Sequence, residues 1–122
     1  MEKINRVLGI KKQTDNKFLN MYEFEAERRN GKVAPYYMVS RNPNPETLKA
    51  RTHENKPDGV IIYAVYGENK DKVVLIKQFR YPLNDYVYEF PAGLVEPGED
   101  MFEAGVREIY EETGLTFVPK RV

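Results

Sequence analysis

The stretch DMFEAGVREIYEETGL, from Asp100 to Leu115, constrains the fold of this chain more than any other segment. Asp100 followed three residues later by Glu103 forms a capping-box pattern, which starts a helix. Gly114 suits the left-handed residue that stops one. Met101 to Thr113 lie between them and contain no proline, so the spacing predicts a helix over 101–113. At about 100° per residue, Phe102, Val106, Ile109 and Tyr110 share one side, the expected core face. Glu108, Glu111 and Glu112 fall on the opposite side, within an arc of about 100°. Spacings of three and four residues make them neighbours, and each like-charge pair costs a helix about 0.2–0.5 kcal/mol. Arg107 lies beside Glu111 on the wheel and offsets part of that cost.

Two readings suit such a cluster. One is a solvated acidic face. The other is a divalent-cation site, because hard cations take oxygen ligands and a bound ion turns repulsion into attraction. Helix geometry does not decide between them.

Upstream the chain reads as strands. Lys17 to Arg28 carries Phe18, Met21, Tyr22 and Phe24 among polar residues. Arg29-Asn-Gly-Lys32 is a turn signal, and Val33 to Ser40 reads as the returning strand. Residues 41–58 are polar with three prolines, which predicts a loop with a short helical turn near 46–50. The loop divides an N-terminal hairpin region, 1–58, from a second region, 59–122. Gly59 to Tyr66 is nearly continuously apolar, which predicts a strand covered on both faces. Lys72 to Arg80 and Tyr86 to Phe90 read as the next strands, with Pro91 as a stop.

Composition narrows the function classes. The chain has 122 residues, one domain's worth, with 19 basic and 19 acidic side chains. That balance gives no reason to expect nucleic acid or an anionic membrane as partner. The chain has no cysteine, which excludes disulfides and thiolate metal sites. The only histidine, His53, falls in the polar loop and is expected to be exposed. The N-terminus lacks a secretory signal pattern and no apolar run reaches the roughly 20 residues of a membrane span. A cytoplasmic protein is the expectation.

The segment before the helix is FPAGLVEPGE, Phe90 to Glu99. Its glycines and prolines predict a tight, irregular loop. Taken together, Gly93, Glu99, Arg107-Glu108, Ile109, Glu111-Glu112 and Gly114-Leu115 are spaced as GX5EX7REXXEEXGL, with the apolar Ile109 directly after Arg107-Glu108. This resembles, at every defined position, the signature of the Nudix hydrolases. Chance placement of so many fixed residues over one short stretch is remote.

The resemblance implies the following. The fold is α+β, an α/β/α sandwich around a mixed sheet, with the signature at 93–115 forming loop, helix and loop. The activity is hydrolysis of a pyrophosphate in a nucleoside diphosphate derivative, using Mg²⁺ or Mn²⁺. Glu108, Glu111 and Glu112 match the metal-binding glutamates. Glu99 matches an earlier glutamate that is either a water-mediated ligand or structural. Arg107 matches an arginine that orients a glutamate. The carbonyl of Ala92 matches a position that completes the metal shell, and Gly93 and Gly114 form the loops. The run VVLIKQFR, Val73 to Arg80, followed by YEFPAG, Tyr88 to Gly93, looks like the ADP-ribose pyrophosphatase branch. On that analogy Arg80 contacts substrate, Glu89 lies beside the site, and the N-terminal region serves homodimerisation and grips the nucleoside through Tyr22, Phe24, Tyr36 or Tyr37. Members usually continue beyond the signature, with a glutamate acting as base in the later part. A chain ending at Val122 is therefore expected to be a shortened form. The alternative function is a non-catalytic Nudix module that binds a nucleotide or a protein.

Overall fold

The structure is a computed structural model and describes residues 5–120. The chain divides into two compact units, Met1–Lys56 and Pro57–Val122. The α+β class read from the sequence holds.

The first unit is a three-stranded antiparallel sheet in chain order, β1 (Arg6–Lys12), β2 (Asn20–Glu27) and β3 (Val33–Ser40). Strand β3 falls where the sequence predicts it. Strand β1 is not foreseen from the sequence. Its register shifts between Val7 and Gly9, and such a bulge breaks the period-two signal that marks a strand. Gly31, at φ 80°, turns β2 into β3 as the Asn-Gly pair suggests. Tyr22 and Phe24 on β2 form a buried cluster with Leu48, and Val7, Ile10, Met38 and Ala50 pack around it. The Tyr22 hydroxyl donates to the Asn42 carbonyl. Tyr22 and Phe24 are therefore core residues, which removes them as stacking platforms, whereas Tyr36 and Tyr37 are exposed. A 3₁₀ turn over Pro45–Thr47 and a short helix α1 (Lys49–Thr52) fill the expected helical turn.

The second unit holds β4 (Gly59–Ile61), β5 (Val65–Tyr66), β6 (Lys72–Val73), β7 (Ile76–Arg80), β8 (Asp85–Glu89), β9 (Ala92–Leu94) and α2 (Met101–Thr113). Its pairs, β4 with β9, β5 with β6 and β7 with β8, are all antiparallel. Each of the two long apolar strands expected at 59–66 and 72–80 is interrupted. At the breaks, Val74 still donates its N–H to the Ala64 carbonyl. There Ala64 and Val74 turn into a core cluster with Ile109, flanked by Ile62 and Phe117. The expectation of cover on both faces is corrected: Ile61 is 77% exposed and Tyr63 69%, so burial alternates along this run. Among the described residues no helix is long and apolar enough to cross a membrane.

Helix α2 has the predicted bounds. The Asp100 carboxylate accepts from the Phe102 N–H at 2.9 Å, Glu103 reaches back to the Asp100 N–H, and Gly114 closes the helix at φ 74°. Its rotation differs from expectation. Ala104 and Ile109 are the buried residues and Tyr110 is 59% exposed, so Tyr110 does not belong to the core face. The small side chains of Ala104 and Gly105 let the sheet approach that side closely, with Ile62 3.6 Å from where a Gly105 Cβ would sit. The helix packs there on β9 and β4. Glu108, one turn after Ala104, is consequently half-buried instead of opposite the core.

Asp100→Ala removes the cap acceptor and should lower stability by about 1 kcal/mol. Urea unfolding of the chain at neutral pH measures this, and an unchanged midpoint would show that the capping box contributes nothing.

Candidate functional site

Arg107 is the centre of the acidic segment. Its Nε donates to Glu99 Oε2 at 2.8 Å and its Nη2 to Glu99 Oε1 at 2.9 Å, a two-pronged pair. Nη1 donates to Glu108 Oε1 at 2.8 Å and to Glu111 Oε2 at 3.3 Å. Nη2 also donates to the Leu94 carbonyl at 3.0 Å. The helix thereby grips the loop before it. The bond to Leu94 was not legible in the sequence, because it depends on where the loop's backbone returns.

Gly93 has a specific reason to be glycine. A Cβ built there would lie 2.0 Å from the Glu108 carboxyl carbon and 2.2 Å from its Oε2. The Glu108 carboxylate therefore rests directly on the backbone of β9, with its side chain 14% exposed. No other side chain leaves room for it.

Glu112 follows Glu108 by one helical turn. Glu112 is exposed overall, but partial desolvation of its carboxylate and the adjacent Glu108 charge raise its pKa, with the Glu89 charge adding to them. A hydrogen bond from the Ala92 backbone and the Arg80 charge pull the other way. Glu99 behaves oppositely. The Arg107 fork, and then the Glu96 N–H, hold its pKa at about 2.

Arg80 and Glu89 form a second fork. Arg80 Nε donates to Glu89 Oε1 and Nη2 to Oε2, both at 2.6 Å. The fork lowers the Glu89 pKa and raises that of Arg80. Arg80 also feels the charge of Glu112. Glu89 ends β8 three residues before Ala92, so Arg80, Glu89, Ala92, Gly93, Glu108 and Glu112 occupy one neighbourhood. Glu111 is exposed at its edge, and Glu99 is turned to Arg107 through both oxygens.

Among the described residues no three of His, Cys, Asp and Glu are gathered as a ready ligand set. The donors present are nevertheless of the right kind for a hard divalent cation: carboxylate and backbone oxygen, with the Glu108 and Glu112 charges close enough to disfavour each other. His53 belongs to the first unit and is exposed, as expected.

A family model described as NUDIX domain matches residues 55–122. The ADP-sugar pyrophosphatase of Mus musculus is 43% identical over 72 residues, which cover 57% of this chain and 33% of that protein. The ADP-ribose pyrophosphatase of Bacillus subtilis (strain 168) is 33% identical over 100 residues, covering 82% of this chain and 45% of that one. The chain thus spans less than half the length of these curated relatives. A crystal structure of an ADP compounds hydrolase aligns with a TM-score of 0.63 at 21% identity, over 93% of this chain and 53% of its own, which shows a shared fold.

Two outcomes follow from the charges. A carboxyl held below its unfolded value takes up protons more readily in the unfolded chain, so stability rises with pH across that window. The Glu99 contribution should be complete above about 4.5 and fade as pH falls toward about 2. Urea midpoints taken through that range should slope in the parent and flatten in Glu99→Gln. For Glu112 the sign reverses, since folding disfavours its charged form. Glu112→Gln should raise the thermal midpoint of the metal-free chain at pH 7, and a lowered midpoint would contradict the assignment.

Proposed function

Because this chain belongs to the NUDIX family, we propose that it hydrolyses the pyrophosphate of a nucleoside diphosphate linked to another group, with ADP-ribose split into AMP and ribose 5-phosphate. The observation that carries the proposal is the Glu108–Glu112 pair seated against Ala92 and Gly93 beside the Arg80–Glu89 fork. The names of the relatives, an ADP-sugar and an ADP-ribose pyrophosphatase, support the substrate class.

The geometry supports the following roles. Glu108 and Glu112 would hold a divalent cation, with Glu111 at the exposed side and the Ala92 carbonyl as a further oxygen donor. A bound Mg²⁺ or Mn²⁺ supplies positive charge against the diphosphate and lowers the pKa of a coordinated water. Arg107 keeps Glu108 aimed at β9 and fixes Glu99, so both act as framework in this reading. Arg80 would contact a diphosphate oxygen, since a guanidinium matches such oxygens well. Gly93 keeps space for the Glu108 carboxylate, and Gly114 ends the helix beyond Glu112. The first unit would serve dimerisation and nucleoside contact, with exposed Tyr36 and Tyr37 available for stacking on a base.

A second reading is nucleotide or protein binding without turnover. It draws on Arg107, which already engages Glu108 and Glu111. The two readings separate in one experiment. AMP release from ADP-ribose with Mg²⁺ should occur, and Glu112→Gln should reduce it by about 100-fold with a smaller effect on ADP-ribose affinity. Glu111→Gln should have a weaker effect, since Glu111 is turned to Arg107 while Glu112 is the one bonded to the Ala92 backbone. Binding of ADP-ribose without AMP release would favour the second reading. Absence of both would sink the ADP-ribose assignment.

A further inference from the structure

Glu89 ends the strand that leads into Ala92 and Gly93, and both its oxygens are given to Arg80. The two residues are not cross-strand partners: Arg80 pairs with Asp85, and Glu89 with Ile76. They lie at opposite ends of the β7–β8 ladder. Residues 76, 78 and 80 of β7 share a face with their partners 89, 87 and 85. The Arg80 side chain therefore runs back along that face, past Gln78 and Val87, to reach Glu89. An exposed arginine has many rotamers, and this extended one needs a holder. Two charge-assisted bonds at 2.6 Å provide it.

We propose that Glu89 is a positioning residue for substrate: it holds the Arg80 guanidinium next to the Glu108–Glu112 pair and leaves its outer N–H edge to receive a diphosphate oxygen. The inference rests on the reading of this site as a pyrophosphatase and deepens it. A guanidinium has five N–H donors, and the fork uses two. The remaining three have no protein partner among the described residues. The fork also solves an electrostatic problem. A bare Glu89 carboxylate would add a negative charge beside Glu112, where an anionic substrate must arrive. Paired with Arg80 it adds none, and it acts through the arginine rather than on the substrate. An isolated surface ion pair contributes little to stability. A role in aiming Arg80 is therefore the better account of a pair with this geometry.

The test uses the 122-residue chain, Glu89→Gln, Arg80→Ala and the double variant. NMR relaxation of the Arg80 Nε–Hε group reads the positioning without any ligand. It should be rigid in the parent and mobile in Glu89→Gln. A mobile group in the parent, or one still rigid in Glu89→Gln, would overturn the proposal. Steady-state hydrolysis of ADP-ribose with Mg²⁺ gives the functional arm. Glu89→Gln should raise KM about tenfold, the loss expected for one charge-assisted hydrogen bond, with kcat changed far less. Arg80→Ala should do at least as much, and the double variant should be no worse than Arg80→Ala alone. Additive losses would mean that Glu89 acts separately and would refute the proposal. A parent chain with no turnover and no ADP-ribose binding would refute the pyrophosphatase reading instead. In that case the relaxation data still decide whether Glu89 holds Arg80.

Discussion

The fork between Arg107 and Glu99 is the interaction on which the second unit's loop and helix most depend. Residues 95–100 belong to no strand or helix. Their backbone is tied by few bonds of its own, from Val95 to the Asp58 carbonyl and from Glu99 to the Glu96 carbonyl. Arg107 adds the Leu94 carbonyl and both Glu99 oxygens from the helix side. The planar guanidinium can reach all these acceptors together with Glu108, which a lysine ammonium on a flexible stem cannot do. One side chain thus sets the loop's path and the direction of an acid that rests on β9.

That arrangement leaves a deliberate imbalance of charge. Glu99, Glu108, Glu111 and Glu112 bring four carboxylates, and Arg107 brings one guanidinium. Three negative charges remain uncompensated within this group, while Arg80 and Glu89 cancel each other nearby. A fold selected only for stability gains nothing from this. Like charges at helical spacing cost free energy, and the raised pKa of Glu112 reflects its loss of solvation first and the Glu108 charge second. Such perturbed carboxylates concentrate where chemistry is done.

Much of the helix was legible in the sequence because its signals are local. Asp100, Glu103 and Gly114 fix the ends by hydrogen bonds that span three or four residues, and the observed bounds agree. The rotation of the helix was not legible. A wheel weighted by large apolar side chains gives Tyr110 to the core and overlooks Ala104 and Gly105. Their contribution is an absence of bulk, which counts only once a sheet lies against them. The same limit hid the Arg80–Glu89 fork, whose partners sit at opposite ends of a ladder. It hid β1 as well, where a bulge at Val7 and Gly9 disturbs the alternation. Local chemistry reads well from sequence, whereas close approach and long reach depend on coordinates.

The corrected rotation changes what the acidic cluster means. If Glu108 and Glu112 stood opposite the core, both would be solvated and nearly equivalent. Instead Glu108 lies on the backbone at Gly93, where only hydrogen bonds can offset the loss of water, and Arg107 supplies one. Glu112 has the Ala92 backbone bond and the Arg80 charge in its favour, and loss of solvation and the Glu108 charge outweigh them. The pair is therefore asymmetric, with one carboxylate anchored and the other held in a charge state it resists. Residue type and spacing are the same for both. The difference comes from a glycine fifteen residues before Glu108 and an arginine beside it.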